Sequence, residues 1–135
     1  MKIVPIVTVG CLLVSVLSVA NAAQAPVFSH KTNLSKDYLF MKDLVRDLGK
    51  DGFKCINYLK NKDVQGVREE GTCSFEHNQI TIDLFSDAKT AKSTFNIMKS
   101  MMSGYSLGSN NWIITLDDAA LSKSISKGLR LKILS

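Results

Sequence analysis

The chain has 135 residues, of which 45% are hydrophobic and 21% charged, and its formal net charge is +5. This length leaves room for one small domain rather than two. It contains no internal repeat and no low-complexity tract. Its basic residues lack the interleaved aromatic residues of a nucleic-acid platform, which excludes nucleic acid as the expected partner.

The first 25 residues, MKIVPIVTVGCLLVSVLSVANAAQA, have the features of a secretory signal peptide. Lys2 precedes a long apolar run, and the small residues behind it include Ala20-Asn21-Ala22 in the A-x-A arrangement that signal peptidase cuts. We therefore expect residues 1–22 to be removed by cleavage near Ala22, giving a secreted or extracytoplasmic protein. The alternatives are an uncleaved membrane anchor and a lipoprotein modified at Cys11, although Thr8 occupies a lipobox position that is normally aliphatic.

Residues 23–34, AQAPVFSHKTNL, show no hydrophobic period and include Pro26, which predicts a flexible lead-in. The single domain is expected to cover residues 35–135. Ser35 is the predicted cap of a first helix, which Gly49 ends. The apolar residues of this helix recur at steps of three and four, at Tyr38, Met41, Leu44, Val45 and Leu48.

Two cysteines remain in the mature chain, and an even count in an exported protein predicts a disulfide between Cys55 and Cys73. Cys55 lies in the strand pattern GFKCINY and Cys73 in EGTCSF. Antiparallel pairing of these strands around a loop near Val64 places the cysteines opposite each other. The same register puts Phe53 and Phe75 on the buried face with them.

The stretch GTCSFEHNQITIDLF predicts a second hairpin, with His77 and Asn78 in the turn and Cys73 opposite Ile82. Alternation along the second strand places Asp83 on the outer, solvated face. Because His77 lies at the hairpin tip and Cys73 faces the core, the pair does not match a zinc site or an activated nucleophile. No metal and no other cofactor is therefore predicted.

The second half begins with the amphipathic pattern SDAKTAKSTFNIMKSMM, which predicts a helix capped by Ser86 or Asp87. SGYSLGSNN is typical of a loop and WIITL of a strand. Asp117 or Asp118 is the expected cap of a last helix that Gly128 ends, and LRLKIL is compatible with a short edge strand. The order of elements predicts an α+β two-layer domain, with an antiparallel sheet of about four strands and helices on one face.

The helix ending in DLGKDGFKC, the GTCSF strand, the FSDA junction and the segment GSNNWIITLDD together resemble small exported actinobacterial proteins of unassigned function, some of them lipoproteins. The resemblance covers about residues 38–131. It implies an exported domain and supplies no catalytic residues.

Two groups of side chains are candidate contact sites. A basic group near the C-terminus is expected to contact anionic envelope polymers or lipid head groups, the alternative being a solvated helix face; its members are Lys123, Lys127, Arg130 and Lys132. A second group is expected to contact a ligand or a partner such as an envelope protein, the alternative being core packing; its members are Tyr105, Trp112 and Met101.

The sequence thus favours a non-catalytic, exported binding domain that acts at or outside the cell envelope. One alternative is a small envelope-acting enzyme whose site the sequence does not reveal. Another is a secreted inhibitor or host-interaction protein.

Overall fold

The computed structural model describes residues 25–134, so the predicted signal peptide and its cleavage site lie outside the described residues. Among the described residues, no helix is long and apolar enough to span a membrane. The described elements, in chain order, are α1 (Met41–Lys50), β1 (Ile56–Lys60), β2 (Glu69–Phe75), β3 (Asn78–Leu84), α2 (Ala88–Met98), β4 (Tyr105–Ser109), β5 (Trp112–Leu116), α3 (Ala119–Leu129) and β6 (Lys132–Ile133).

The strands of residues 25–134 form one antiparallel sheet with the order β1-β2-β3-β5-β4-β6, which confirms the α+β class. The sheet has six strands rather than about four. The strand that the sequence analysis missed is β4, whose glycine and serine residues are typical of a loop. It forms because Leu107 is buried opposite Ile114, and because Gly108 lies where a side chain would collide with the Trp112 carbonyl oxygen.

Helices pack against both faces of the sheet, so the expectation of helices on one face is wrong. The main core joins α1 and α3 to the side chains of Ile82 and Ile114, which point to one face. The alternate side chains on the other face include Phe85 and Ile113, and these pack with Ala91 and Phe95 of α2. Phe85 and Ile113, together with the partly buried Val67 and Leu134, therefore hold α2 on this face.

The turn of the β2–β3 hairpin lies one residue earlier in the chain than the sequence suggested. Its central residues are Glu76 and His77, with φ values of +48° and +62°, as the two-residue turns that fit the twist of a hairpin require. Phe75 therefore pairs with Asn78, and Cys73 lies opposite Ile80 instead of Ile82. A shift of two residues leaves every side chain on its predicted face.

The Cys55–Cys73 disulfide is present, with a Cα–Cα distance of 5.4 Å. β1 begins one residue after Cys55, and its first ladder pair is Ile56 with Ser74, so the cysteines are not directly opposite as predicted. The bridge closes a loop across a sequence separation of 18 residues. A loop of that length stabilises the fold by about 3 kcal/mol on the chain-entropy estimate.

The acidic caps predicted for the last two helices are present. Asp87 accepts a hydrogen bond from the Thr90 amide (2.7 Å), and Asp118 accepts one from the Leu121 amide (2.8 Å). In the first turn of each helix, one backbone amide that has no partner within the helix thereby gains a side-chain acceptor. Helix α3 continues past Gly128 and ends where Arg130 adopts the left-handed conformation, with φ of +56°.

The segment before α1 lies against the domain, which differs from the flexible lead-in expected for residues 23–34. The Asp51 carboxylate accepts hydrogen bonds from the amides of Lys31 (2.8 Å) and Thr32 (3.0 Å) and from the Thr32 hydroxyl (2.8 Å). The Leu34 side chain is buried in the main core. A buried carboxylate at the C-terminal end of α1 thus holds the segment in place.

Helix α1 starts at Met41, several residues after the cap predicted at Ser35. The intervening residues are not helical, although Tyr38 is buried as its helical spacing had suggested. The backbone of Tyr38 bonds to a side chain distant in sequence rather than to the next helical turn. That tertiary contact favours a non-helical path through this stretch.

The distant side chain belongs to Asn111, which is buried in the turn between β4 and β5. Its Oδ1 accepts from the Tyr38 amide (2.8 Å), and its Nδ2 donates to the carbonyl oxygens of Tyr38 (2.7 Å) and Phe85 (2.9 Å). The Asn111 carbonyl oxygen in turn accepts from the Phe85 amide (2.7 Å). One residue therefore joins the N-terminal segment, the end of β3 and the β4–β5 turn.

We predict that Asn111→Ala lowers the free energy of unfolding by about 4 kcal/mol, because it leaves three buried backbone groups without partners. Urea denaturation checks the value. The matched control is Asn96→Ala on the exposed side of α2, which should change stability by no more than about 0.5 kcal/mol. Equal effects of the two substitutions would contradict the role given to Asn111.

Candidate functional site

An open groove of about 610 Å³ lies between α2 and the strands β4, β5 and β6. The helix and the strands both contribute apolar residues to its lining, namely Ala88, Ala91, Phe95, Gly108, Ile113, Ile133 and Leu134. Trp112 also borders the groove, but its side chain is completely buried in the main core. The polar and charged lining of the groove consists of Lys92, Asn96, Ser109, Asn110 and Lys132. The groove is thus largely apolar, with a few polar groups along its edges.

The groove exists because α2 rests on only part of the second sheet face. Ala91 and Phe95 are four residues apart and bury one flank of α2 against Phe85 and Ile113. Ala88, Lys92 and Asn96 follow the same four-residue step on the adjacent flank, which faces the groove. Small residues at 88 and 108 leave the space between helix and sheet open.

The charge of the groove is positive. Lys92 on α2 and Lys132 on β6 are the ionisable residues among its described lining, and both are exposed. Lys132 pairs with Gly108, which in turn pairs with Ile113, so it belongs to the same strip of the sheet as the apolar floor. Two ammonium groups beside an apolar surface are chemically suited to a molecule that has an acidic group and an apolar body.

The structure divides the predicted basic group between two sides of the sheet. Lys123 and Lys127 are exposed on α3, which packs on the main core, and Arg130 follows at the end of that helix. Lys132 instead lines the groove on the side of α2. Lys92, which the sequence analysis did not select, is the lysine that accompanies it, and its four-residue spacing from Ala88 and Asn96 was the available signal.

The second predicted group is also dispersed. The side chain of Trp112 is completely buried, and its indole Nε1 donates to the Leu34 carbonyl oxygen (3.3 Å), which matches the alternative of a core residue. Tyr105 is half-buried at the start of β4. Met101, after α2, is 77% exposed and does not line the groove.

Asp83 is the residue whose environment differs most from its prediction. It is 8% exposed, and its Oδ1 has no hydrogen-bond partner. Burial, together with the neighbouring carboxyl group of Glu70, raises the pKa of Asp83 to about 8. The expectation of a solvated position is wrong because α2 packs on this face, as the apolar residue Phe85 two positions later already suggested.

The described residues do not combine these groups into a recognisable reaction centre. Cys73 is bonded to Cys55, and His30 and His77 are exposed at separate positions. Within residues 25–134, no three histidine, cysteine or acidic side chains come close enough to hold a metal ion. The carboxyl pair of Glu70 and Asp83 does not line the groove, so it is not placed to act on a molecule there.

Comparison of the chain with protein-family models, curated proteins and solved structures gives no match. The resemblance to exported actinobacterial proteins therefore stays a prediction.

Proposed function

We propose that this protein is an exported, non-catalytic binding domain of the cell envelope, and that its groove holds a single-chain amphiphile with an anionic head group. The observation that carries the proposal is the groove between α2 and the β4–β6 edge. Its volume of about 610 Å³ falls in the range of small-molecule sites. Its lining combines apolar side chains with two lysines and, among the described residues, no acid.

The two kinds of lining residue have separate tasks in this proposal. Ala88, Ile133 and Leu134, which line the groove and are exposed or half-buried, offer an apolar surface to a hydrocarbon chain, whose removal from water supplies most of the binding free energy. Lys92 and Lys132 offer ammonium groups that bind a carboxylate or phosphate as point charges. The head group thus orients the molecule, and the chain holds it.

The Cys55–Cys73 disulfide supports the proposed location, because such bonds persist in oxidising, extracytoplasmic compartments. Lipid head groups were among the partners expected from the sequence, and an amphiphile is the member of that class that the groove suits. An anionic polymer would use the lysines and leave the apolar lining in water. An enzyme would need reactive groups at the groove, and the described lining offers only lysine and amide or hydroxyl side chains.

The lysines supply the first test. We predict that the double substitution Lys92→Gln/Lys132→Gln weakens binding of a fluorescent C16 fatty acid about tenfold, because two partly exposed ion pairs are lost. Fluorescence titration at low salt measures the dissociation constant. The matched control is Lys123→Gln/Lys127→Gln on α3, which removes the same charge and should leave binding within about twofold.

A competition series identifies the head group in the same assay. Hexadecanoate and hexadecyl phosphate should displace the probe, whereas hexadecanol and a zwitterionic lysophosphatidylcholine should displace it poorly. Equal losses in the two lysine pairs would show a general charge effect and contradict the groove as the site. Equal displacement by hexadecanol would contradict the role of the lysines.

Export supplies a separate prediction. Mass spectrometry of the protein purified from its native host should find a mature chain that begins near Ala23, because the A-x-A pattern ends at Ala22. A chain that retains Met1 in a membrane fraction would contradict cleavage. A lipid on Cys11 would replace the released protein by an anchored one.

A further inference from the structure

Two carboxyl groups lie opposite each other on the sheet face against which α2 packs. Glu70 on β2 and Asp83 on β3 form a directly opposite pair in the antiparallel ladder, so their side chains share one face of the sheet. The next residue in the same row is Ile113 on β5, which packs with Phe95 of α2. The pair therefore lies on the face against which α2 rests.

The surroundings offer this pair little compensation for charge. Asp83 is more than nine-tenths buried and its Oδ1 accepts no hydrogen bond, while the Glu70 Oε1 accepts one from Asn61 (2.6 Å). None of the ion pairs within residues 25–134 includes either carboxylate. An ionised and unpartnered carboxylate in this position is strongly unfavourable.

The described elements around Asp83 bring no cation that compensates its charge. Glu70 is the charged residue of β2 that shares this face, and β5 contributes the uncharged Ile113. Arg68, two residues before Glu70 and just outside β2, is exposed. The lysines of α2 and its C-cap, Lys89, Lys92 and Lys99, are exposed. The pKa of Asp83 accordingly responds to burial and to Glu70, both of which raise it, and to no cation.

The contact that holds α2 on the sheet is small. Ala91 and Phe95 are its buried residues, and they pack with Phe85 and Ile113 and with the partly buried Val67 and Leu134. The same helix forms one wall of the groove. Any change that weakens this contact therefore also opens the groove.

We propose that Glu70 and Asp83 form a proton-operated latch for α2. While the pair holds a proton, α2 stays packed on the sheet and the groove keeps both walls. When that proton is lost, two carboxylates repel each other in a buried site, and α2 separates from the sheet together with its side of the groove.

The raised pKa of Asp83 determines how the stability of the folded state changes with pH. The ordinary pKa of Asp83 is 3.8, and in the folded protein it is raised to about 8. The folded state therefore binds more protons than the unfolded state between these two values. The stabilisation is fully present below pH 3.8 and is lost progressively as the pH rises towards 8.

The latch and the proposed function are separable. The loosening of α2 depends only on the carboxyl pair and the helix contact. The consequence for a ligand, which is release as the pH rises, rests on the proposed function of the groove. A protein that binds no amphiphile and still loosens α2 at high pH would retain the latch and lose the binding role.

Hydrogen exchange measured by mass spectrometry between pH 5.5 and pH 9 tests the latch on the full mature chain, after correction for the intrinsic exchange rates. Protection of the α2 amides should fall about tenfold or more across this range, because one proton is released per opened helix. The amides of β3 and β5 should stay protected, which distinguishes local opening from global unfolding.

Substitution of Asp83 tests whether the carboxyl pair causes the loss of protection in α2. Asp83→Asn keeps the shape of the side chain and removes its charge, so α2 protection should become independent of pH. The matched control is Asp63→Asn, an exposed residue of the β1–β2 loop, which should behave as the wild type. A pH-dependent loss of protection in Asp83→Asn, or no loss in the wild type, would overturn the proposal.

Glu70→Gln provides a second variant should Asp83→Asn not fold. Removing the neighbouring charge lowers the pKa of Asp83, so the midpoint of α2 opening should move to lower pH and the opening should be smaller. An unchanged midpoint and amplitude would also overturn the latch.

Discussion

Asn111 is the constraint on which the arrangement of the described domain depends. Its amide side chain bonds to both backbone groups of Tyr38 and to the Phe85 carbonyl oxygen, in a site that excludes water. Phe85 stands at the junction between β3 and α2. The position of α2 relative to β5 is thus set by a buried hydrogen-bond network, which has little freedom to rearrange because every unpaired member carries a large penalty. The network fixes Phe85, just before α2 begins, and thereby the position of α2 on the sheet. The groove and the burial of Asp83 both depend on that position.

Successive side chains of β3 and β5 point to opposite faces of the sheet, and this alternation determines which residues lie under α2 and beside the groove. Ile82 and Ile114 fill the main core, while the residues between them point to the other face and carry α2. That face is only partly apolar, since Phe85 and Ile113 share it with Asp83. A helix that covers such a surface buries a carboxyl group along with two apolar side chains, and it leaves a lysine-edged groove beside itself. The groove and the buried carboxyl group are therefore two consequences of the same incomplete packing.

The sequence predicted those features that depend on local pattern. The hairpin faces, the disulfide, and the caps at Asp87 and Asp118 are all present, because each is specified by alternation, by pairing of two cysteines or by a side chain that bonds within one helical turn. Features that depend on contacts between distant segments were missed. β4 has a loop-like composition and is a strand through its partners, and the non-helical path at Tyr38 depends on a residue far along the chain. The groove was not predicted for the same reason. Lys92 and Lys132 line it together only because α2 packs on the second face of the sheet.

The central claim is that an anionic amphiphile occupies the groove, and the most direct test is an NMR measurement of contacts between protein methyl groups and ¹³C-labelled hexadecanoate. The account predicts intermolecular nuclear Overhauser effects from the acyl chain to Ala88, Ile133 and Leu134, which line the groove and are exposed or half-buried. It also predicts none to Leu39 or Leu59, which are exposed elsewhere on the domain. Contacts of the acyl chain with those two residues, and none with the groove, would contradict the account.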